Sequence, residues 1–442
     1  MTQQKQIDLE ASVIKKIVQR PVAVLFIVYI LNFLDRTNIG IAKLQMSDAL
    51  GLSEAAYGLG AGLFFIGYIL FEIPSNMILY RTGARFWIAR IMVTWGIVSA
   101  AMAFVENETW YYILRFLLGV AETGLVPGVL LYFTFWVPKK YKAKIMSYFY
   151  LAVPVATIIG APISSYLMTV NIGDMAGWRF MFLAEGIPSV LMAFVVWKLL
   201  TDKPEHANWL SEDEKKWLID ELKKEEEEME ANSHSASNVF EAIKDPLVIG
   251  VSISFFSMVI PLYALSFFLP TIVQQMGKGE YSTMTIGILT AVPFFFASVG
   301  LILISKSSDK KNERTFHYAI PAYIGAACLL VSAFTVDSLP VISLLGMSMG
   351  AVGCIGTLPS LWAQMPYILK GAAVASGIAV INSFGNIAGF CAPYLIGLLR
   401  DNASNAASGT SISIAAVSIF LALAATVMIL VGNGIQKRKI KG

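Results

Sequence analysis

Six ionisable side chains stand inside long apolar stretches of this chain: Asp35, Arg36, Glu72, Arg115, Glu122 and Glu185. A charge placed in hydrocarbon costs roughly 3 kcal/mol even on the most lenient scale. Such groups must therefore face one another or a wet interior, where they can take up protons or hold an anion. All six lie in the first half of the chain, and the second half has no charge at comparable depth. This predicts a division of labour. The first half handles protons and a charged ligand, and the second reads ligand shape with neutral groups.

Spacing sorts the six. Asp35 lies 14 residues past Pro21, roughly 21 Å into its helix at ~1.5 Å per residue. Arg115 is five residues past Trp110 on a helix running the other way, about 8 Å from the far face. The two reach similar depths and are expected to pair, and opening that pair would strand a desolvated carboxyl ready to take a proton. Glu122 is seven residues beyond Arg115 on the same helical face, about 18 Å deep. No partner is evident for it, which suits a reversible proton carrier. Arg36 points from a different face than Asp35, and its planar guanidinium is a natural fork for a substrate carboxylate. Each residue also has a blander reading: Asp35–Arg115 as a pair fixing helix register, Glu122 bonded to a neighbouring backbone, Arg36 in an internal pair. Glu72, beside Ile73-Pro74, and Glu185, ahead of Gly186-Ile187-Pro188, read as structural.

The elements that must position these groups are membrane helices. Of 442 residues, 56% are hydrophobic and 14% charged, with a mean hydropathy of +0.66. Soluble chains sit near ~45–50% apolar and ~25% charged. A soluble enzyme, a nucleic-acid module and a disordered scaffold are excluded, and the chain reads as an all-α polytopic membrane protein. Twelve spans are predicted, at 21–42, 55–80, 86–105, 110–137, 144–170, 178–200, 246–275, 283–305, 316–336, 339–364, 371–399 and 411–434. Cys328, Cys354 and Cys391 lie in apolar runs and read as small hydrophobes, so neither a disulfide framework nor a metal site is expected. His206, His234 and His317 lie outside or at the ends of the runs, which disfavours an intramembrane bis-histidine haem. No cofactor is implied. No short cleavable leader is evident ahead of the first span.

Lysine and arginine set the orientation. With the N-terminus in the cytoplasm, 27 of the 33 basic residues fall in inside segments and four (Lys43, Arg179, Lys278, Arg400) outside; Arg36 and Arg115 are the remaining two. Both termini are then cytoplasmic. The chain divides into a bundle at 1–200, a polar linker at 201–245 holding 14 of the 30 acidic residues, and a bundle at 246–442. In the linker, Ser211-Glu212-Asp213-Glu214 is a capping box opening a charged helix to about Glu230, and the run Glu225–Glu228 reads as a solvated face. Gly83-Ala84-Arg85-Phe86 is echoed by Glu313-Arg314-Thr315-Phe316, and Gly160-Ala161-Pro162 by Cys391-Ala392-Pro393, at offsets of 230 and 231. The shared offset points to two pseudo-symmetric six-helix bundles, an architecture many secondary transporters use for alternating access. The aromatic clusters Phe64-Phe65, Phe267-Phe268 and Phe294–Phe296 read as packing or lipid-facing surface.

The residues around the intramembrane charges resemble a known family. Leu31-Asn32-Phe33-Leu34-Asp35-Arg36-Thr37-Asn38 is similar to the Asn-Tyr-x-Asp-Arg-x-Asn motif of the anion:cation symporters of the major facilitator superfamily. The stretch from Arg115 through Gly119, Glu122 and Gly124 to Pro127-Gly128 resembles their Arg-x-x-x-Gly-x-x-Glu-x-Gly-x-x-Pro pattern. Gly177-Trp178-Arg179-Phe180 and Asn382-Ser383-Phe384-Gly385-Asn386 also resemble that family. The likeness covers essentially the whole chain and is nearest to the branch carrying hydroxyphenylacetate, tartrate and similar organic acids. It implies that Asp35 and Arg115 form a proton-sensitive pair and that Glu122 is the proton site coupled to substrate. It makes Arg36 the carboxylate anchor and puts Tyr68, Trp362, Asn382 and Asn386 along the substrate cavity. Phe33 stands where many members carry Tyr, and Pro154 where some sugar-acid carriers have a polar residue; both make the cavity less polar. Tyr80 occupies the usual position of a gating-loop Asp, while Arg81 and Gly83 keep the pattern.

The function expected is proton-coupled import of a small organic anion (an aromatic acid, a tartrate-like dicarboxylate or a sugar acid) by a monomer in the plasma (inner) membrane. Protonation of Asp35 and Glu122 would release Arg115 and let the carboxylate dock at Arg36. Two protons with one monocarboxylate would move net positive charge inward. The partners are then the anion, protons and the lipid bilayer, with no nucleic acid. An antiporter, a carrier of neutral solutes and a non-transporting sensor are the alternatives. The chain carries no GxxxxGK[ST] loop and no catalytic cluster within the spans, so an ATP-driven pump or an enzyme is not expected.

Overall fold

Uninterrupted apolar runs bounded by Gly, Pro and capping residues fold as helices, because only a helix or a closed barrel satisfies its backbone in hydrocarbon. A computed structural model of the protein describes residues 3–170, 172–232, 244–369 and 373–441. His234, Lys370, the linker stretch 233–243 and the first two residues of the eleventh expected span lie outside the described residues. Twelve helices are long and apolar enough to cross a membrane: α1 (Ile7–Leu50), α2 (Glu54–Thr82), α3 (Ala84–Phe104), α4 (Glu108–Thr134), α5 (Lys139–Leu167), α6 (Gly177–Leu199), α7 (Pro246–Met276), α8 (Thr283–Lys311), α9 (Thr315–Thr335), α10 (Pro340–Trp362), α11 (Gly377–Asp401) and α12 (Ala406–Arg438). Each matches an expected span. The first is longer than expected, because Gln3–Ile17 is helical and runs on through a π turn at Pro21.

Packing repeats with a step of six helices. In the first bundle α1 lies on α5, α2 on α4, and α3 on α6; in the second α7 lies on α11, α8 on α10, and α9 on α12. Between the bundles α2 meets α11, α5 meets α8, and α1 meets α7. α4 unwinds at Thr123-Gly124, where a continuous span is expected from sequence. Six helices on, α10 only loosens at Gly356-Thr357, whose backbone stays right-handed helical.

The seam between bundles is closed at one end. An even number of crossings puts both termini on one side, here the termini face. The contacts across the seam cluster near the opposite, far face. Gly58 of α2 lies against the Pro393 carbonyl of α11, and Gly287 of α8 against Ala161 and Ser165 of α5. Nearest the termini face the same helices present exposed Leu70, Ile73, Tyr80, Tyr148 and Tyr150. An ionic cluster locks the far face. Glu54 Oε2 accepts Lys43 Nζ at 2.7 Å and Arg400 Nε at 2.9 Å, while Asp401 caps the start of α2 through the Glu54 and Ala55 N–H groups at 3.0 and 2.9 Å. Lys43, Glu54 and Arg400 come from both halves, so the cluster spans the seam. These contacts and the ionic cluster shut the seam at the far face.

The linker helix (Glu212–Asn232) docks on the first bundle. Its capping box forms as expected: Glu214 Oε2 accepts Ser211 N–H at 2.8 Å and Ser211 Oγ accepts Glu214 N–H at 3.3 Å. The same carboxylate takes Lys16 Nζ and Ser12 Oγ, each at 2.7 Å. Trp209, just ahead, stacks on Trp136. Glu225 departs from the solvated-face expectation, since its carboxylate accepts the Lys139 N–H that opens α5, at 2.8 Å. This is an N-cap supplied from another helix. Asp202 similarly caps α3 by accepting Arg85 N–H at 3.1 Å, so an acid still serves the α2–α3 turn although Tyr80 replaces the usual one.

Two outcomes test this architecture. Gly58→Ile drives a side chain into the Pro393 carbonyl and prevents closure at the far face. Uptake into proteoliposomes should fall at least tenfold, and a cysteine placed at Thr271 should become reactive to an impermeant maleimide. Burial opposes the Glu214 charge, but Lys16, the Ser211 N–H and Ser12 outweigh it and hold the carboxyl at about 2. A lowered acid stabilises above its ordinary value and loses that contribution as pH falls towards its own. Linker docking should thus be constant above about pH 5 and weaken only below its ordinary 4.5 towards 2. Glu214→Gln should cost about 1–3 kcal/mol, read as a lower unfolding midpoint and faster proteolysis of the linker at neutral pH.

Candidate functional site

Arg36 and Glu122 form the centre of the site. Glu122 closes the first segment of α4, and the chain unwinds in the next two residues, with Gly124 at φ 92°. A Cβ there would strike Ser75, so only glycine fits. The groups freed by unwinding are satisfied locally. Ser75 Oγ donates to the Thr123 carbonyl at 2.7 Å and accepts Trp87 Nε1 at 3.0 Å, and Thr123 Oγ1 donates to the Gly119 carbonyl at 2.7 Å. Irregular backbone at this depth is tolerated only inside protein or along a cavity. The break leaves the Glu122 carboxylate facing α1, where Arg36 donates Nη2 at 2.9 Å and Nε at 3.3 Å to Oε2.

Aromatic rings surround the guanidinium. Its carbon lies 4.8 Å from the Phe64 centroid and 5.5 Å from that of Tyr68, distances at which a ring face attracts a cation. Tyr29 of α1 and Tyr263 of α7 lie near enough to act on the Arg36 charge. Phe64 reads from sequence as packing, yet its ring lies between two cations, with Arg115 5.3 Å from its centroid. Unused polar atoms converge nearby. Buried Asn32, one turn before Arg36, lies beside the Glu122 carboxylate. Both its amide atoms and Glu122 Oε1 nonetheless lack a partner in hydrogen-bonding geometry.

The expected Asp35–Arg115 pair is absent. Asp35 Oδ1 accepts Ser99 Oγ at 2.6 Å, and Oδ2 accepts Trp95 Nε1 and Ser189 Oγ, each at 2.9 Å. Arg115 donates instead to the Ala61 carbonyl at 3.3 Å. The reason is azimuth. Depth alone makes Asp35 and Arg115 neighbours, but successive helical residues turn by about 100°. Asp35 turns towards α3 and α6, while Arg36 faces α4 and claims Glu122. Glu122 is therefore partnered, contrary to expectation, and Arg36 forms the internal pair of its blander reading.

The remaining candidates scatter more widely. Tyr68 belongs to the Arg36 cluster. On α10, Trp362 packs edge-on against Phe255 of α7, with centroids 5.3 Å apart. Asn386 of α11 is partly buried with its Nδ2 unpartnered, and Asn382 is exposed one turn away. These three belong to the second bundle, apart from the Arg36–Glu122 pair. Glu72 is half-buried one turn past Tyr68. Glu185 accepts Asn38 Nδ2 at 2.8 Å and Ser164 Oγ at 2.6 Å. Sequence reasoning misses Tyr263 and Tyr29, because nothing in the sequence distinguishes a tyrosine facing the seam from one facing lipid. Among the described residues no cluster of His, Cys, Asp and Glu could hold a metal ion.

A profile of the Major Facilitator Superfamily matches residues 25–393. The chain belongs to the major facilitator superfamily. It is 42% identical over 407 residues, 91% of either chain, to an Agrobacterium vitis protein named "Putative tartrate transporter". It is 39% identical over 403 residues, 91% of this chain and 92% of the other, to the "Quinolone resistance transporter" of Acinetobacter baumannii. Among solved structures, a bacterial homologue of the human lysosomal transporter Spinster, inward-facing and unoccupied, shares the fold with TM-score 0.77 at 18% identity, covering 94% of this chain and 97% of that one. This superfamily member is accordingly an integral multi-pass membrane transporter, not an enzyme.

Within the transporter, Tyr263 is the second bundle's contribution to the Arg36 cluster. Tyr263→Phe removes one hydroxyl and keeps the ring that packs on Phe65. A hydrogen bond to a charged group contributes ~1.5–3 kcal/mol, so ligand affinity should fall about tenfold or more, measured by calorimetric titration, with the unfolding midpoint little changed.

Proposed function

We propose that this transporter is a proton-coupled symporter that imports a small organic carboxylate. The observation that carries the reading is the Arg36–Glu122 ion pair, 2.9 Å long, with Glu122 fully buried and Arg36 only 13% exposed. Breaking a buried pair by removing one charge strands the other at a cost of roughly 3–5 kcal/mol. Arg36 is therefore released only when something else takes the place of the Glu122 charge. A proton on Glu122 ends its claim on the guanidinium, and a substrate carboxylate restores the charge that Arg36 needs. Proton and anion then bind together for electrostatic reasons. Asp35 supplies a second protonatable group, held by three neutral donors and no cation. Arg115 lies near enough to bias Glu122 without pairing with it.

The substrate class follows from the lining. A bidentate guanidinium suits a carboxylate, and the hydroxyls of Tyr29, Tyr68 and Tyr263 with the free amides of Asn32 and Asn386 suit a hydroxylated or aromatic acid. Tyr29 and Tyr263 supply hydroxyls that Phe33 lacks, which weakens the expectation of a less polar cavity. A relative named for tartrate fits that chemistry. With lysine and arginine concentrated on the termini face, that face is cytoplasmic, both termini lie inside, and the state described opens inward. We read the working unit as a monomer in the inner membrane, its first bundle coupling protons and its second recognising shape. Export in exchange for protons is the second reading, favoured by the relative named for quinolone resistance. The two differ in sign, since an acidic exterior drives import in the first and expels substrate in the second.

Labelled tartrate in proteoliposomes is the probe. An inward proton gradient should drive its accumulation, and two protons with one tartrate dianion should move no net charge. Arg36→Ala should weaken uptake about 100-fold, matching the loss of ~3 kcal/mol of ion-pair energy. Glu122→Gln imitates the protonated acid. It should abolish accumulation and flatten the pH dependence of binding. Accumulation that persists in Glu122→Gln would place the coupling elsewhere.

A further inference from the structure

Glu185 lies eight residues into α6, about 12 Å from its start, and is 4% exposed. Its two oxygens accept one neutral donor each, Ser164 of α5 and Asn38 of α1. Among the described residues the charged group acting on it is Asp35 of α1, another acid; α3 and α5 present only Trp95, Ser99 and Ser164 to this pair of carboxyls. Two acids on neighbouring helices with no cation between them cannot both stay ionised cheaply in a low-dielectric interior.

Both partners of Glu185 also reach the seam between bundles. Asn38 and Ser164 line a cavity of about 20 Å³, together with Thr157 of the first bundle and Ser266 and Thr290 of the second. A water needs about 10–15 Å³ of such space and two to four polar partners. The partners are at hand. Asn38 Oδ1 and Thr290 Oγ1, on residues 2% and 4% exposed, have no hydrogen-bond partner in the protein and stand on the two sides of the seam. The cavity lies towards the far face, beside the contact of Gly287 with Ala161 and Ser165.

We propose that Glu185 is a further proton-accepting site of the transport cycle, loaded from the far face through one water held between Asn38 and Thr290 and relayed by the Ser164 hydroxyl. A hydronium ion from the far-face solution gives its proton to that water. The water passes a proton to Ser164 Oγ, and Ser164 gives its own to Glu185 Oε1. Each donor loses one O–H bond and each acceptor gains one. Water and serine are regenerated, and Glu185 ends as the neutral acid. Ser164 can then turn to accept the new O–H. With the far face shut the seam seals the cavity. Parting of α1 and α5 from α8 opens it, so loading is confined to the outward-open state. This rests on the proton-coupled reading above and adds a carboxyl to it.

The test is infrared difference spectroscopy of the full chain in proteoliposomes, following carboxyl C=O bands through a pH step and through exchange into deuterated buffer. The wild type should show titrating bands, and Glu185→Gln should lose one of them while Glu122→Gln loses another. Thr290→Val keeps the side-chain shape and removes the water's partner on the second bundle. It should slow deuterium exchange of the Glu185 band at least tenfold, a readout that keeps the relay testable even if Glu185→Gln fails to fold. A Glu185→Gln spectrum identical to wild type, or unchanged exchange in Thr290→Val, overturns the inference alone. A wild type with no titrating carboxyl band removes the proton-coupled reading itself.

Discussion

The buried bond between Arg36 and Glu122 constrains everything around it. Two charges in a hydrocarbon interior are expensive to place, and expensive to separate once placed. The first bundle is built to bear that expense. α4 breaks immediately after Glu122 so that its carboxylate can face α1. Phe64 and Tyr68 shield the guanidinium, and Ser75, Trp87 and Thr123 satisfy the backbone that the break exposes. None of these devices would be needed if α4 were a plain helix with an apolar residue at 122.

The second bundle has neither the charge nor the full break. α10 loosens at Gly356-Thr357, one repeat after the break in α4, but its backbone stays right-handed helical and Thr357 Oγ1 bonds back to the Gly353 and Cys354 carbonyls at 2.9 Å. Two related half-bundles thus meet at a seam where one side offers ions and the other offers Trp362, Tyr263 and Asn386. A midplane site between inverted or repeated halves, formed by discontinuous helices, is the arrangement by which secondary transporters expose one site to two sides in turn.

The helices, their number and the pairing of halves are legible in the sequence because hydrocarbon leaves a chain few ways to satisfy its backbone, so long apolar runs map directly onto spans. The charged residues that matter are legible too, since intramembrane charge is rare. Their partners are not. Depth can be counted from a helix end, but partnering depends on which way a residue turns, and that is fixed by helix packing. Depth assigns Asp35 to Arg115, whereas Ser99, Trp95 and Ser189 reach it from helices whose azimuth no count reveals. Glu225 shows the same limit outside the membrane: a run of four acids reads as solvated until a neighbouring helix start is found to need a cap. The break in α4 stays hidden because a Thr-Gly pair is equally at home in a continuous membrane helix.

Electroneutrality gives the charged core its logic. On the far face Lys43 and Arg400 balance Glu54 and Asp401, and that cluster is neutral as it stands. Deeper in, the interior of the first bundle holds two cations, Arg36 and Arg115, and three acids, Asp35, Glu122 and Glu185, so full ionisation would leave one uncompensated negative charge there, and a bound monocarboxylate would add a second. The cost of buried net charge grows steeply in a medium of low dielectric, so on the proton-coupled reading proposed above one of the three acids carries a proton before a monocarboxylate binds and a further acid does so once it has. On that reading the pairing at Arg36 selects the acid that yields to substrate, because Glu122 occupies the fork proposed for the carboxylate. α1 carries this requirement to the seam. The helix runs on through Asn38, whose backbone is helical and hydrogen-bonded to Leu34 and Ala42, from Arg36 to Gly40 and Lys43. A change of partner at Arg36 is thus about one turn from the contacts that hold the far face shut. A ligand can shift a two-state equilibrium only through contacts that differ between the states, and a continuous helix can carry such a difference from one to the other.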